Sequence, residues 1–265
     1  MDAVVMDRLI EGAGTTEADW QAWDGLHRVR SCSFSDLVPA GSRAVIVAPH
    51  PDDEVLAFGG LLAMLADAGC PVLVVAVTDG EASHPGSALW PPAQLGARRT
   101  AESCAGLAHL GVDERQRVRL RVPDGAVATA PDQLAARLGA FIRADDVLFS
   151  TWALDGHPDH EASAQAVARA ARYAGCRHLQ APVWMWHWAT PGDVRIPWQR
   201  MRRLALPAPV LARKRLAIAA HVTQLQAQDT GAPAVLTATS LARLLRADEY
   251  FFLPESGDAM PESAL

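Results

Sequence analysis

Lysine is almost absent from this chain of 265 residues, and Lys214 is its only example. Lysine and arginine together number 24 against 30 acidic residues, which gives a formal net charge of −6. A chain of that charge lacks the overall basic character that nucleic acids and anionic membranes attract, so neither is expected as the main partner. A small neutral substrate is compatible with this charge.

Long apolar runs are missing as well. No stretch reaches the roughly 18 uncharged residues that a membrane-spanning helix needs. Segment 1–10 carries acids where a secretion signal has a basic region and an apolar run, so we expect no membrane span and a cytoplasmic location. The four cysteines are far apart and form no CxxC pair, which indicates neither a disulfide framework nor a thiolate zinc site.

Half of the residues are hydrophobic, enough to bury a full core in one domain of this size. Apolar runs alternate with segments of helical spacing. The predicted pairs are strand 43–48 with helix 54–69, strand 72–78 with helix 92–110, strand 118–122 with helix 132–143, and strand 147–152 with helix 159–174. This alternation predicts a Rossmann-like α/β/α sandwich with a mainly parallel sheet, in which ligands bind beyond the carboxyl ends of the strands.

The rest of the chain is less regular. We expect a polar N-terminal arm at 1–40, a single domain at 41–254 and a polar, frayed tail at 255–265. Within the domain, 181–188 is predicted as a strand with its three tryptophans on one face, and 210–226 as a helix. The arm either packs on the body or pairs two subunits, so a homo-oligomer stays open.

Two polar loops carry the chemistry. APHPDDE at 48–54 puts one histidine and three acids where the first strand ends, and DGHPDH at 155–160 follows the fourth predicted strand. The carboxyl ends of parallel strands meet at one edge, so the loops can face each other. Histidine and carboxylate ligands from separate loops suit a borderline divalent ion such as zinc. For either loop alone, acids that cap a helix are the plainer explanation.

The sequence resembles the PIG-L/LmbE-like zinc-dependent deacetylases, which include N-acetylglucosaminyl deacetylases. The motifs that carry the resemblance are His50-Pro51-Asp52-Asp53-Glu54 with Gly59-Gly60, His157-Pro158-Asp159-His160, TDGE at 78–81, Arg99 with Glu102, and the set Lys214, His221 and Gln224. The resemblance runs from about residue 43 to residue 224 and implies the same α/β fold.

The resemblance implies that His50, Asp53 and His160 bind Zn²⁺ or another divalent transition metal. It leaves Asp52 as the base. Zinc lowers the pKa of a bound water to about 7 and polarises an acyl oxygen, so a carboxylate beside it can take the proton of the water at neutral pH.

By the same resemblance, His157 is the acid opposite the base, and Asp159 raises the pKa of His157 by charge pairing. Arg99 is a candidate substrate ligand that would donate two hydrogen bonds to sugar hydroxyls or a phosphate, and a pair along its own helix is the alternative. Asp79 and Glu81, at the end of the second strand, are candidates either for the pocket wall or for orienting a metal-ligand histidine.

Three further histidines, His84, His187 and His221, are weaker candidates for the pocket wall. Some family members have a tyrosine two residues before the HPDH motif, and this chain has Asp155 there. The resemblance therefore implies that an oxyanion-stabilising tyrosine from this loop is absent.

These observations predict a metal-dependent hydrolase that removes an N-acyl group, foremost N-acetyl, from an aminosugar-containing small molecule or glycoconjugate. A related zinc amidase that acts on a conjugate without an acetamido sugar is the nearest alternative. The HxD…H pattern of His50, Asp52 and His160 also fits iron(II) oxygenases, which favour an all-β fold. A purely structural zinc site would have four protein ligands and no spare acid. Dinucleotide binding is disfavoured because the first loop lacks GxGxxG.

Overall fold

The computed structural model describes residues 8–254, so the prediction of a frayed tail at 255–265 lies outside the described residues. One sheet contains eight strands: β1 Arg30–Cys32, β2 Arg43–Ala48, β3 Val72–Ala76, β4 Arg117–Arg119, β5 Asp146–Thr151, β6 Arg177–Ala181, β7 Met201–Ala205 and β8 Asp248–Phe252. Their order across the sheet is β1-β7-β8-β6-β5-β2-β3-β4. All neighbouring strands are parallel except β8, which is antiparallel to both β6 and β7.

Helices cover both faces of the sheet. They are α1 Glu17–Gln21, α2 Asp24–His27, α3 Phe34–Leu37, α4 Asp53–Asp67, α5 Pro92–His109, α6 Pro131–Gly139, α7 Pro158–Ala174, α8 Met185–Trp188, α9 Ala208–Ala219, α10 Val222–Leu225 and α11 Ala238–Leu244. Successive residues of β2 enter different cores, because side chains alternate along a strand. Ile46 packs in the cluster that contains Phe58 of α4, and Val45 packs in the cluster with Leu134 of α6 and Val167 of α7.

The predicted fold class is confirmed as a mostly parallel sheet between two layers of helices. The four predicted pairs of strand and helix are all present, and β2 has the predicted bounds Arg43–Ala48. The carboxyl ends of β2 and β5, which are neighbours, lie at one edge of the sheet. This pairing brings the two polar loops together.

The prediction of a strand over 181–188 is wrong. Strand β6 ends at Ala181, and Met185–Trp188 forms helix α8. Pro182 has no N–H to continue the ladder. The backbone N–H groups of the next three residues, 183–185, all donate to the carboxylate of Asp155 at 3.0 Å, which satisfies the unpaired donors at the start of the helix. The helix predicted over 210–226 is also divided into α9 and α10.

The segment predicted as an arm takes part in the fold. Within the described residues it contributes β1 at the sheet edge, and Trp20 is fully buried. Arg8 forms an ion pair with Glu161 of α7 at 3.0 Å. The division into arm, domain and tail stays a prediction. No helix in the described part of the chain has the length and apolar character to cross a membrane.

Candidate active site

A cavity of about 310 Å³ opens at the carboxyl edge of the sheet. It is lined by both predicted loops: His50, Asp52 and Asp53 come from the loop after β2, and His157 and His160 come from the loop after β5 and the start of α7. The structure thus brings these five side chains together in one cavity. Their chemical roles are a separate question.

The first loop is held by its own acids. The Asp53 carboxylate accepts the backbone N–H of His50 at 3.0 Å, and the Glu54 carboxylate accepts that of Asp52 at 3.0 Å. Ser103 of α5 donates a short hydrogen bond to the other oxygen of Glu54. Glu54 is buried and serves the loop, while Asp52 and Asp53 turn into the cavity.

Asp53 lies between two imidazoles. Its Oδ2 is 3.3 Å from His50 Nδ1 and 3.2 Å from His160 Nε2. His160 Nε2 is buried and makes no hydrogen bond within the described residues. A nitrogen lone pair that is buried beside a carboxylate and lacks a donor is a suitable ligand for a cation. This arrangement is a candidate metal centre.

Each of these two histidines meets a second carboxylate at its other ring nitrogen. Asp155 Oδ2 lies 2.8 Å from His160 Nδ1. Asp159 Oδ2 and Asp124 Oδ1 lie 3.3 and 3.2 Å from His50 Nε2. An ionised carboxylate only accepts, so it fixes the proton on the nitrogen that faces it. The nitrogens that face Asp53 are then the positions at which a metal would take the place of a proton, and a carboxylate at the other nitrogen is common for metal-ligating histidines.

The charges of this cluster are strongly coupled. Burial alone lowers the pKa of His160, but Asp53 and Asp155 outweigh it and raise that pKa to about 9. The pKa of His50 is raised well above its usual value against the same effect of burial, chiefly by Asp124 and Asp159. Burial opposes ionisation of Asp53, yet the two imidazoles hold its pKa well below the usual range. The cluster thus favours positive charge at its centre.

Arg99 is buried behind the first loop. Its Nη2 donates to Asp52 Oδ2 at 3.1 Å and to the carbonyl of Pro51 at 3.2 Å, and its Nη1 donates to the carbonyl of Gly80 at 2.9 Å. Gly80 has φ +69°, and a Cβ there would clash with the guanidinium. Burial raises the pKa of Asp52 to about 7, although Arg99 opposes that shift. Arg99 also lines the cavity, so its guanidinium holds the loop and reaches the site.

The charge of Asp159 acts to raise the pKa of His157, but burial outweighs it, and no direct contact between the two side chains is found within the described residues. The Asp159 carboxylate contacts His50 and accepts the backbone N–H groups of Gly125 and Val127 at 2.8 and 3.2 Å. His157 Nδ1 instead accepts the backbone N–H of Asp159 at 3.2 Å. Burial, with the charges of the other two histidines, lowers the pKa of His157 to about 3. The neutral imidazole therefore carries its proton on Nε2.

Three other candidates lie outside this cavity. Asp79 and Glu81 both line a neighbouring cavity. There Asp79 pairs with Arg119 at 2.7 Å, and Glu81 accepts the backbone N–H of Asp124 at 2.9 Å. His187 lies beneath the N-terminal segment, where its Nε2 is 3.0 Å from the carbonyl of Glu11. Since the segment covers this ring, the structure does not support His187 as a residue of the pocket wall.

Of the weaker candidates, His221 is fully buried, and both of its ring nitrogens lack a hydrogen bond within the described residues. His84 Nε2 lies 3.1 Å from the carbonyl of Thr223. Gln224, one of the residues that carried the resemblance, lines the cavity, whereas Lys214 forms a buried ion pair with Glu249.

Sequence reasoning missed the roles of Asp124 and Asp155. Asp124 stands in a Pro-Asp-Gly string typical of a turn, and only the pairing of β3 with β4 brings it to His50. The resemblance identifies Asp155 only as the residue that stands in place of a tyrosine. Its distance of five residues from His160 was the available signal, because a histidine at a metal site usually has a carboxylate partner.

A mostly parallel α/β sheet with a buried cluster of histidines and aspartates at its carboxyl edge defines an α/β protein with a candidate metal centre. The PIG-L family model, described as GlcNAc-PI de-N-acetylase, matches residues 45–171 of this chain. Both histidine loops lie within the matched region.

The chain is similar to curated deacetylases. It is 32% identical over 182 residues to 1D-myo-inositol 2-acetamido-2-deoxy-alpha-D-glucopyranoside deacetylase of Mycobacterium sp. (strain KMS), a match that covers 60% of this chain and 57% of the relative. The protein of the same name from Rhodococcus opacus (strain B4) is 27% identical over 269 residues, which covers 80% of this chain and 91% of that one. The chain thus spans little more than half the length of the first relative.

Among solved structures, the zinc-inhibited form of teicoplanin deacetylase Orf2 superposes with a TM-score of 0.63 at 18% identity, over 81% of this chain and all of the other. At that identity the likeness shows the fold. It supports the mostly parallel α/β architecture described above.

Proposed function

We propose that this chain is a metal-dependent N-deacetylase that hydrolyses the acetamido group of an aminosugar conjugate, with Zn²⁺ as the metal. The observation that carries the proposal is the pair of loops that brings Asp53 between His50 and His160 with Asp52 beside them in one cavity. The relatives support the acyl group, because their names describe an acetamido sugar and a deacetylase. The cytoplasmic location stays a prediction.

The donor set fits a divalent transition metal. One oxygen of the Asp53 carboxylate lies 3.3 Å from the imidazole of His50 and 3.2 Å from that of His160, and each imidazole meets a carboxylate on its far side. Three protein ligands with a remaining open position are typical of catalytic zinc. We infer that His50, Asp53 and His160 hold the metal. When bound, it would polarise the acyl oxygen and make a water acidic enough to be deprotonated near neutral pH.

Asp52 is the proposed base. It is the acid of the first loop that is left over once Asp53 is a ligand, and it lines the same cavity. Arg99 holds one of its oxygens at 3.1 Å and thereby fixes the carboxylate toward the site. In this role Asp52 takes the proton of the attacking water, and the C–N bond of the amide breaks afterwards.

His157 is the proposed donor on the opposite side. Its Nδ1 already accepts a backbone hydrogen bond, so its Nε2–H is the group available to the oxyanion that develops on the acyl carbon. A neutral imidazole would become an imidazolate if it released this proton, so the departing amine takes the proton that Asp52 removed from the water. In this proposal Asp159 acts on His157 through its backbone N–H, while its carboxylate orients His50.

The fold bears on the alternatives. A mostly parallel sheet between helices is not the all-β fold expected for the iron(II) oxygenase alternative. A zinc amidase whose substrate lacks an acetamido sugar would use the same residues. Only the substrate therefore distinguishes this amidase from the proposed deacetylase.

The test is release of primary amine from a panel of N-acetylglucosaminyl compounds and non-sugar N-acyl amines, with native protein, chelated protein and protein restored with zinc. We expect release from the sugars that disappears on chelation and returns with zinc.

Asp52→Asn should keep its metal and lose about 10²- to 10⁴-fold in turnover, and His160→Ala should lose tight metal binding. The exposed Asp145→Asn is the control. Full activity of Asp52→Asn would show that Asp52 is not the base. Release of amine from non-sugar amides alone would favour the amidase.

A further inference from the structure

The cavity has an apolar wall beside its catalytic groups. The wall consists of Leu56, Val183, Trp184, Val235 and Leu236. Its position follows from contacts of the site itself. The Asp155 carboxylate that contacts His160 also accepts the backbone N–H groups at the start of the wall, and Leu56 lies on α4, one turn after the first loop.

Most of this wall comes from outside the family match at 45–171. Only Leu56 belongs to the matched region, whereas the other four wall residues come from 183–184 and 235–236. These two segments are fixed in place: the first by Asp155, the second by the backbone N–H of Leu236, which donates to the carbonyl of Gln224 at 2.9 Å. Most of the apolar wall is therefore built by ordered segments that follow the matched region.

Trp184 differs from the other tryptophans in the central part of the chain. Trp152 and Trp186 are buried in the core at 5% and 2% exposure, and Trp188 is half-buried outside the cavity lining, whereas Trp184 is half-buried and lines the cavity. Its backbone is held by Asp155 at 3.0 Å. Sugar hydroxyls placed against such a wall would lose water without gaining hydrogen bonds, which is unfavourable. An apolar group would gain free energy in proportion to the area that it buries there.

We infer that the substrate carries an apolar alkyl or aryl aglycone on its aminosugar, and that this aglycone packs against Trp184. The inference rests on the proposed deacetylase function, in which the acyl group is acetyl and the apolar group belongs to the rest of the molecule. Among the polar residues that line the cavity, Gln224 has a buried Oε1 without a hydrogen bond within the described residues, which leaves it for the sugar.

The experiment compares two substrate series with the zinc-loaded full chain. The first varies the aglycone of N-acetylglucosaminides from methyl to hexyl and phenyl. The second keeps a methyl aglycone and varies the acyl group from acetyl to hexanoyl. We expect kcat/KM to rise about tenfold or more along the first series and not along the second. Trp184→Ala should remove the preference, Trp184→Phe should keep most of it, and Trp90→Ala, half-buried outside the cavity lining, should leave it unchanged.

A binding measurement separates this inference from the proposed function. Calorimetric titration with methyl and hexyl glucosides requires no turnover, and the hexyl compound should bind about tenfold more tightly, an advantage that Trp184→Ala removes. Equal binding of the two glucosides, or a preference along the acyl series alone, would overturn the aglycone assignment. Preferential binding of the hexyl glucoside without amine release from any compound would support the apolar wall as a binding surface and contradict the proposed deacetylase function.

Discussion

Replacing Asp155 by asparagine tests how His160 is prepared to bind a metal. The carboxylate accepts four N–H groups: Oδ1 those of Val183 and Met185 at 3.0 Å each, and Oδ2 those of Trp184 at 3.0 Å and of His160 Nδ1 at 2.8 Å. Asparagine keeps the shape and supplies one acceptor oxygen in place of two. Two of the four donors therefore lose their acceptor, whichever way the amide is turned.

The two orientations of the amide differ in cost. With its NH₂ group toward Val183 and Met185, two buried backbone donors are left unpaired, at about 1–3 kcal/mol each. With NH₂ toward Trp184 and His160, one backbone donor is unpaired, because the imidazole can accept at Nδ1 if its proton moves to Nε2. The second orientation is the cheaper one. It also places a proton on the nitrogen that faces Asp53, where the metal would bind.

Asp155→Asn should therefore bind zinc at least 10- to 100-fold more weakly, as for other changes to carboxylates behind metal-ligating histidines. It should also lose about 1–3 kcal/mol of unfolding free energy. Competition with a chromophoric chelator gives the zinc Kd, urea unfolding gives the stability, and ¹⁵N NMR of the imidazole reports the tautomer. The exposed Asp145→Asn serves as the control. A folded Asp155→Asn protein with the wild-type Kd and an Nδ1–H tautomer would refute the reasoning.

Two further predictions concern ion pairs away from the cavity. Lys214→Met removes the partner of Glu249, a buried carboxylate 2.7 Å from Lys214 Nζ, so urea unfolding should show a loss of about 3–5 kcal/mol. The exposed Arg215→Met should cost little, and equal effects would show that the pair is unimportant. Arg8→Glu should weaken the packing of the N-terminal segment by about 1 kcal/mol, and adding Glu161→Arg should restore part of it in a double-mutant cycle. A cycle without coupling energy would exclude a role for this pair.

The sequence predicts best where one physical pattern decides the structure. Strand β2 has its predicted bounds because a continuous β-branched apolar run is buried on both faces. The two histidine loops could be found because both follow strands of one parallel sheet. The tryptophans at 184, 186 and 188 alternate as in a strand, but the fold of 183–188 is decided by Pro182 and by a carboxylate 28 residues upstream. No local pattern contains that contact.

The same limit applies to side chains around the site. Asp124 reaches His50 only through the order of strands, and Arg99 reaches Asp52 because helix α5 packs behind the first loop. The sequence offered Arg99 two partners, the substrate or its own helix, and the structure pairs it with the neighbour of a proposed metal ligand. Pairings of this kind depend on tertiary geometry, so residue type and spacing cannot supply them.

Asp155 connects the two halves of the site, and this connection makes the variants informative together. Its carboxylate touches a proposed metal ligand, His160, and the backbone that carries Trp184. Trp184→Ala alters the wall and leaves the contact between Asp155 and His160 in place, so zinc affinity should persist while selectivity for an apolar aglycone is lost. Asp155→Asn changes both contacts, so zinc affinity and selectivity should fall together. If the two variants instead behave alike in both measurements, the wall and the metal centre form one cooperative unit, and a separate site for the aglycone would have to be abandoned.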